Sequence, residues 1–165
     1  ARGGREMGHH FEVLWGLFSS LPSTEDPNMS VLYHFYYTNY DDPNFSNCRI
    51  TKNQGVRYDN GKFNLGQDLA KELAAFTAMK DEDLQNKTIE DIFSDELLNS
   101  DFWAYWRTMF AFENWHSALE MKLYMARFIH HVGGLTNLSA LQFSRHDQYT
   151  SFVKPMVKYM LIFLL

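Results

Sequence analysis

The chain has 165 residues, 45 % of them apolar and 16 % aromatic, with a net charge of −5. That is enough apolar material for the core of one domain or large subdomain. The acidic balance offers no basic surface for a nucleic acid, and the single cysteine, Cys48, excludes an internal disulfide and points to a reducing compartment. The chain opens on Arg2-Gly-Gly-Arg-Glu-Met7. A Gly-Gly pair between two arginines, followed by a carboxylate, lets backbone approach a bulky anionic or planar ligand, because glycine has no Cβ to hold it off. Such a loop ordinarily follows a nucleotide-binding unit, and no strand precedes it, so the chain reads as an excerpt of a larger protein.

The first predicted helix runs from His10 to Leu21, with Phe11, Leu14, Leu17, Phe18 and Leu21 at helical spacing and Pro22 as its stop. Ser23 to Asn28 is a polar turn, Ser30 to Thr38 an apolar and aromatic helix, and Asp41-Asp-Pro-Asn44 a turn. Cys48 to Gln54 and Val56 to Tyr58 read as two short strands about Gly55, followed by a turn at Asp59-Asn-Gly61. Leu65 to Ala78 is a helix with Leu65, Leu69, Leu73 and Phe76 on one face. Lys80 to Lys87 is a charged, exposed connection. Thr88-x-x-Asp91 is a capping box with Asp in place of Glu, opening a short helix.

Ser100 caps an aromatic helix over Phe102 to Ala111. A longer helix from Trp115 to His131 comes next, with Gly133-Gly134 as its left-handed stop. Leu135 to Phe143 is a connection with one candidate strand. Thr150 or Ser151 caps a last helix, in which Pro155 sits near the first turn. Met160-Leu-Ile-Phe-Leu-Leu165 is too short to cross a bilayer and reads as a core segment cut mid-element. The fold class expected is mainly α with a short β-hairpin.

The helix after Trp115 is the richest in chemistry. His116, Glu120, Tyr124, Arg127 and His131 recur at steps of four, four, three and four and share one face. Leu119, Leu123, Met125, Ala126, Phe128 and Ile129 cover most of the remainder, which predicts a buried helix. Its polar stripe then belongs either to a satisfied structural network or to a polar cavity, since burying it unpaired is costly. His116 and Glu120 have the i, i+4 spacing of two metal ligands. With no HExxH signature and no cysteine cluster, no metal is expected. No serine or cysteine lies in a nucleophile elbow.

Several blocks in one order resemble a known family. They are Arg2-Gly-Gly-Arg-Glu-Met7, Leu21-Pro-Ser-Thr-Glu-Asp-Pro-Asn28, Cys48-Arg-Ile-Thr-Lys-Asn-Gln54, Trp106-Arg-Thr-Met-Phe-Ala-Phe112, Trp115-His-Ser117, Arg127-Phe-Ile-His-His131 and Gln148-Tyr149. The sequence resembles the oleate hydratases, or myosin-cross-reactive antigen proteins, from Arg2 to about Tyr159.

That resemblance implies the central portion of an FAD-dependent hydro-lyase that adds water to a cis double bond of an unsaturated fatty acid such as oleate. The parent is a larger α/β Rossmann-like flavoprotein whose GxGxxG fingerprint is absent here. Residues 1–9 are then the flavin-facing loop, 10–159 a mostly helical substrate-binding portion and 160–165 a truncated end. Arg2, Gly3, Gly4, Arg5, Glu6 and Met7 border the flavin ring. The family's water-activating glutamate falls on Glu6, its proton-donating tyrosine on Tyr124, and a glutamine near the fatty acid carboxylate on Gln148.

Three places depart from the family pattern. Gly8 replaces a larger, often acidic residue. His146-Asp147 stand where Tyr-Asn commonly precede the glutamine. Met160 to Leu165 lacks the usual charged stretch and Gly turn, which reads as a truncation or a frame artefact. The resemblance further implies a cytoplasmic, homodimeric parent, with peripheral membrane contact allowed by a lipid substrate. The excerpt alone, lacking the dinucleotide site, is expected to be inactive. Two other readings remain at this level: another FAD-dependent oxidoreductase of the amine-oxidase kind, and a non-catalytic helical lipid-binding module.

Overall fold

Four helices here begin where a serine satisfies an orphan amide. In the computed structural model, which describes residues 6–57 and 61–163, Ser30, Ser94, Ser100 and Ser117 each accept a backbone N–H three residues ahead. The helices they open are α2 (Val31–Asp41), α5 (Asp95–Leu98), α6 (Asp101–Phe110) and α7 (Ala118–Phe128). The others are α1 (Glu12–Ser20), α3 (Gln67–Ala78), α4 (Asp81–Leu84) and α8 (Lys154–Phe163). Two antiparallel pairs complete the fold: β1 (Glu6–Met7) with β4 (Gln142–Phe143), and the hairpin β2 (Thr51–Lys52) with β3 (Val56–Arg57). The mainly α class with a short hairpin therefore holds. Among the described residues no helix is long and apolar enough to cross a membrane.

The chain divides into two units. Ala1–Phe45 and Ser139–Leu165 form one, and Ser46–Leu138 the other. Residues 10–159 are thus shared between both. The core of the first unit joins Trp15 and Phe18 of α1, Val31 and Phe35 of α2, and Phe152. Phe18 and Phe152 stack at 5.0 Å, and Trp15 lies 4.7 Å from Phe35. The core of the second collects Leu69, Leu73 and Phe76 of α3 with Phe102, Trp103 and Trp106 of α6 and Met121 and Met125 of α7. The same periodicity that marks these residues in the sequence places them inside.

The two buried tryptophans of α6 differ in one respect. The Trp103 indole N–H donates to Asn114 Oδ1 at 2.9 Å, whereas that of Trp106 meets no acceptor among the described residues. Each Trp→Phe change removes similar volume. Trp103→Phe also strands the Asn114 oxygen, while Trp106→Phe removes a donor that was desolvated without return. Trp103→Phe is expected to be the more destabilising by about 1–2 kcal/mol, read as the difference between the two variants in denaturant unfolding. Equal losses would contradict this.

Several expected elements shift. The Lys80–Lys87 connection contains the one-turn helix α4, and Leu84 is fully buried rather than exposed. The Thr88–Asp91 box forms: Asp91 Oδ2 accepts from the Thr88 N–H at 2.8 Å and hydroxyl at 2.7 Å. These bonds hold the Asp91 carboxyl below its ordinary value. They close a turn rather than opening a helix, and the next helix waits for Ser94. Gly133 and Gly134 do not supply a left-handed stop. They lie inside a 3₁₀ segment, Ile129–Gly134, into which α7 tightens, and the left-handed residue is Leu138 at φ 60°. Tyr58 and Asp59-Asn60 lie outside the described residues.

Candidate active site

Glu6 stands on β1, paired with Phe143 across the strand, so it does not begin the first helix. Two anchors fix this short strand. The Trp15 indole N–H donates to Gly8 O at 3.0 Å. The buried Asn39 side chain fastens β4: its Nδ2 donates to Phe143 O at 2.8 Å and to Phe35 O at 2.8 Å, and its Oδ1 accepts from the Phe143 N–H at 2.9 Å. The Asn39 carboxamide thus takes the place of a third strand beside β4, satisfying backbone groups that a two-stranded ribbon leaves open. Gly8 is buried, with its carbonyl held by Trp15 of α1. The Glu6 carboxylate itself is exposed, and Met7 is half-buried against the core of this unit. Arg2, Gly3, Gly4 and Arg5 lie outside the described residues.

Tyr124 lies in the other unit, on α7. Its ring meets Phe112 edge-on at 5.2 Å, Phe128 at 5.6 Å and Phe110 at 6.0 Å. It is 42 % exposed, so an apolar collar holds the ring while the residue stays open to solvent. An apolar groove of about 270 Å³ opens between α3, α6 and α7, with Leu73, Ala74, Phe102 and Met125 among its walls.

The five-residue stripe expected around Tyr124 does not persist as a stripe. Ser117 caps α7, and His116 lies before it, because backbone pairing with the Lys87–Glu90 turn draws residues 114–117 out of the helix. The His116 Nδ1 accepts the Glu113 N–H at 3.2 Å instead. Nor is the helix buried over most of its girth. Ala118, Met121 and Met125 face the core, while Glu120, Leu123, Tyr124, Ala126 and Arg127 are exposed. His131 is buried, in the 3₁₀ segment, against Phe128 and His130. Among the described residues no group of three His, Cys, Asp or Glu side chains is placed to hold a metal.

Gln148 is exposed and starts the C-terminal helical segment, which runs through a π-turn (Tyr149–Val153) into α8. Neither Thr150 nor Ser151 caps it. Asp147 does: its Oδ1 accepts the Thr150 N–H at 3.1 Å, and its Oδ2 accepts the Thr150 hydroxyl at 3.0 Å. Those bonds lower the Asp147 carboxyl from its ordinary value, the backbone amide of Thr150 being the largest cause.

Close by is a cluster that sequence reasoning missed. Glu25 accepts from or pairs with three groups: His146 Nε2 at 2.6 Å, His34 Nε2 at 3.5 Å and Arg145 at 3.8 Å. Its signals were the block Leu21–Asn28 that carries Glu25 and the unusual His146, but the two lie too far apart in the chain to be linked by sequence.

The comparisons with known proteins converge. The chain is 48 % identical over 160 residues to the oleate hydratase of Streptococcus pyogenes serotype M49 (strain NZ131), a match covering 96 % of the chain and 27 % of that protein. It is 26 % identical over 166 residues to the linoleate hydratase of Lactiplantibacillus plantarum, covering 97 % of the chain and 29 % of that protein. The chain thus spans under a third of the length of these relatives. The family match itself takes in both units, over residues 1–162, and on that extent the chain belongs to the MCRA family.

Proposed function

We propose that the protein carrying this chain hydrates a cis double bond of an unsaturated fatty acid, giving a hydroxy fatty acid. The observation that carries the reading is the 48 % identity to an oleate hydratase across 96 % of the chain. The residues supply types that suit the reaction. Adding water to an isolated alkene places a proton on one carbon and a hydroxyl on the other. The cation-like transition state has no resonance help and needs nearby negative charge and an oriented water. Glu6, an exposed carboxylate on an anchored strand, is proposed to do both, as base and as counter-charge. Tyr124 is proposed to give the proton. A phenol is a weak acid, so its placement must supply much of the rate. The collar of Phe110, Phe112 and Phe128 fixes its ring for that purpose. Gln148 is proposed to hold the substrate carboxylate. The apolar groove beside α7 is of a kind an acyl chain would enter.

FAD is proposed as the cofactor, with Arg2, Gly3, Gly4, Arg5, Glu6 and Met7 bordering it. The described residues fit that border and no more. Glu6 is open to a neighbouring group, but among the described residues no glycine-rich turn stands at a helix N-terminus to hold a pyrophosphate. When bound, the flavin would give the reacting centre a planar wall and no net electron transfer. The isolated 165-residue chain is accordingly proposed to be inactive.

The test is to incubate the full-length protein with oleic acid in ¹⁸O-water and analyse the product by mass spectrometry. One labelled hydroxyl on a saturated chain is the expected product. A keto or further desaturated acid would instead support an oxidoreductase, and no turnover of any unsaturated acid would sink the proposal.

A further inference from the structure

Glu25 sits on a loop tied by backbone hydrogen bonds. Val31 N–H donates to Leu21 O at 2.8 Å and Ser23 N–H to Met29 O at 2.8 Å, closing the loop at its neck. Inside it, Asn28 N–H donates to Asp26 Oδ1 at 2.9 Å, and Glu25 N–H to Ser23 Oγ at 3.2 Å. The carboxylate is therefore presented from a fixed mount, and it is only 30 % exposed. It spans two distant stretches of chain. On one side is His34 of α2, whose other ring nitrogen lies 3.4 Å from the Ser23 hydroxyl. On the other is the Arg145-His146 turn, with the His146 contact the shortest at 2.6 Å.

The Arg145–His146 turn has a rigid continuation. His146 O accepts from Ser144 Oγ at 2.6 Å and from Ser151 Oγ at 3.3 Å, and His146 N–H donates to Ser151 Oγ at 3.3 Å. Asp147 then caps the helical segment through Thr150. Gln148 is the next residue. The side-chain contacts of Arg145 and His146, just before it, run to Glu25. Asp41 and Asp42 line an open cleft of about 370 Å³ together with His34 and Arg145.

We infer that Glu25 is a positioning residue for Gln148: by gripping His146 and Arg145 it sets where the glutamine amide stands toward a bound carboxylate. The inference rests on the proposed role of Gln148. It explains why a histidine and an aspartate can stand before the glutamine in this chain: His146 is the handle for Glu25 and Asp147 the helix cap.

The experiment compares steady-state hydration of oleic acid by the full-length protein and its Glu25→Gln, His146→Gln, Gln148→Leu and Glu25→Gln/Gln148→Leu variants. Glu25→Gln is expected to raise KM about 3- to 10-fold with kcat within twofold, the size expected of a partly exposed charge-assisted contact. His146→Gln is expected to do the same, and it serves in place of Glu25→Gln should that variant fail to fold. The double variant is expected to be no worse than Gln148→Leu alone, because both losses act through one contact. If Gln148→Leu raises KM while Glu25→Gln and His146→Gln leave it unchanged, the inference is wrong and the role of Gln148 stands. If Gln148→Leu leaves KM unchanged, the role of Gln148 fails, and the inference with it. Equal falls in kcat and kcat/KM for Glu25→Gln would also overturn the inference, since they would place Glu25 in the chemical step.

Discussion

Glu6→Gln in the full-length protein is expected to lower kcat for oleate hydration by about 10³-fold or more, with KM changed by less than about threefold. The amide matches the carboxylate in shape, so β1 should keep its pairing with Gln142–Phe143 and its anchors through Trp15 and Asn39, none of which uses the Glu6 side chain. What disappears is the negative charge. In the role proposed for Glu6, its loss leaves the attacking water without a base and the positive charge developing on carbon without a counter-charge. A loss of three decades corresponds to about 4 kcal/mol of transition-state stabilisation. The measurement is initial rate by gas chromatography of the hydroxy acid, alongside the flavin absorbance spectrum to check cofactor content. Activity within tenfold of the parent would remove Glu6 from the chemistry. A loss of flavin in parallel would move it to cofactor binding.

Tyr124→Phe is expected to lower kcat by about 10²- to 10⁴-fold, the range usually supplied by a positioned acid. The substitution deletes one oxygen and keeps the ring. The contacts with Phe110, Phe112 and Phe128 should persist, and the residue is partly exposed, so the melting temperature should move by no more than about 2 °C. The separation of rate from stability is the point of the measurement. A large drop in melting temperature with a modest rate effect would mean that Tyr124 is a packing residue of α7. A solvent deuterium isotope effect present in the parent and lost in the variant would tie the hydroxyl to the proton transfer.

Local signals are the readable ones in this chain. Ser100 before an aromatic run, and Leu69, Leu73 and Phe76 at helical spacing, announce α6 and α3 because cap and periodicity act within a few residues. The β2–β3 hairpin around Gly55 is legible for the same reason: Gly55 takes φ 106°, which a side chain would resist. The pairing of β1 with β4 joins opposite ends of the chain, and no local pattern of two residues can specify it. Periodicity misplaces the end of α7 because it continues into a segment that tightens to 3₁₀. It misplaces the start because the bridge between Thr88 and Ser117 competes for the same backbone.

The candidate site divides along the same line. Glu6 and Gln148 lie in blocks that resemble the family, and Tyr124 falls between two of them, so their roles are proposals that rest on that resemblance. The burial predicted for α7 from its apolar residues is too high, since Leu123 and Ile129 remain exposed. The clamp at Glu25 is assembled from three separate stretches and is visible only in three dimensions. The Asn39 bracket on β4 is of the same kind.

The π-turn at Tyr149–Val153 fixes a phase. Pro155 is buried, cannot donate a backbone hydrogen bond, and its ring would crowd the Ser151 carbonyl in a regular α-helix. One widened turn just ahead of it relieves that crowding and acts as a single-residue insertion in the helix. Such an insertion turns the residues on its N-terminal side by about 100° relative to those on its C-terminal side. The bearing of Gln148 relative to α8 is thus set by Pro155 as much as by its own neighbours. A variant that deletes one residue from the turn and carries Pro155→Ala would allow a regular helix and swing the glutamine to another face.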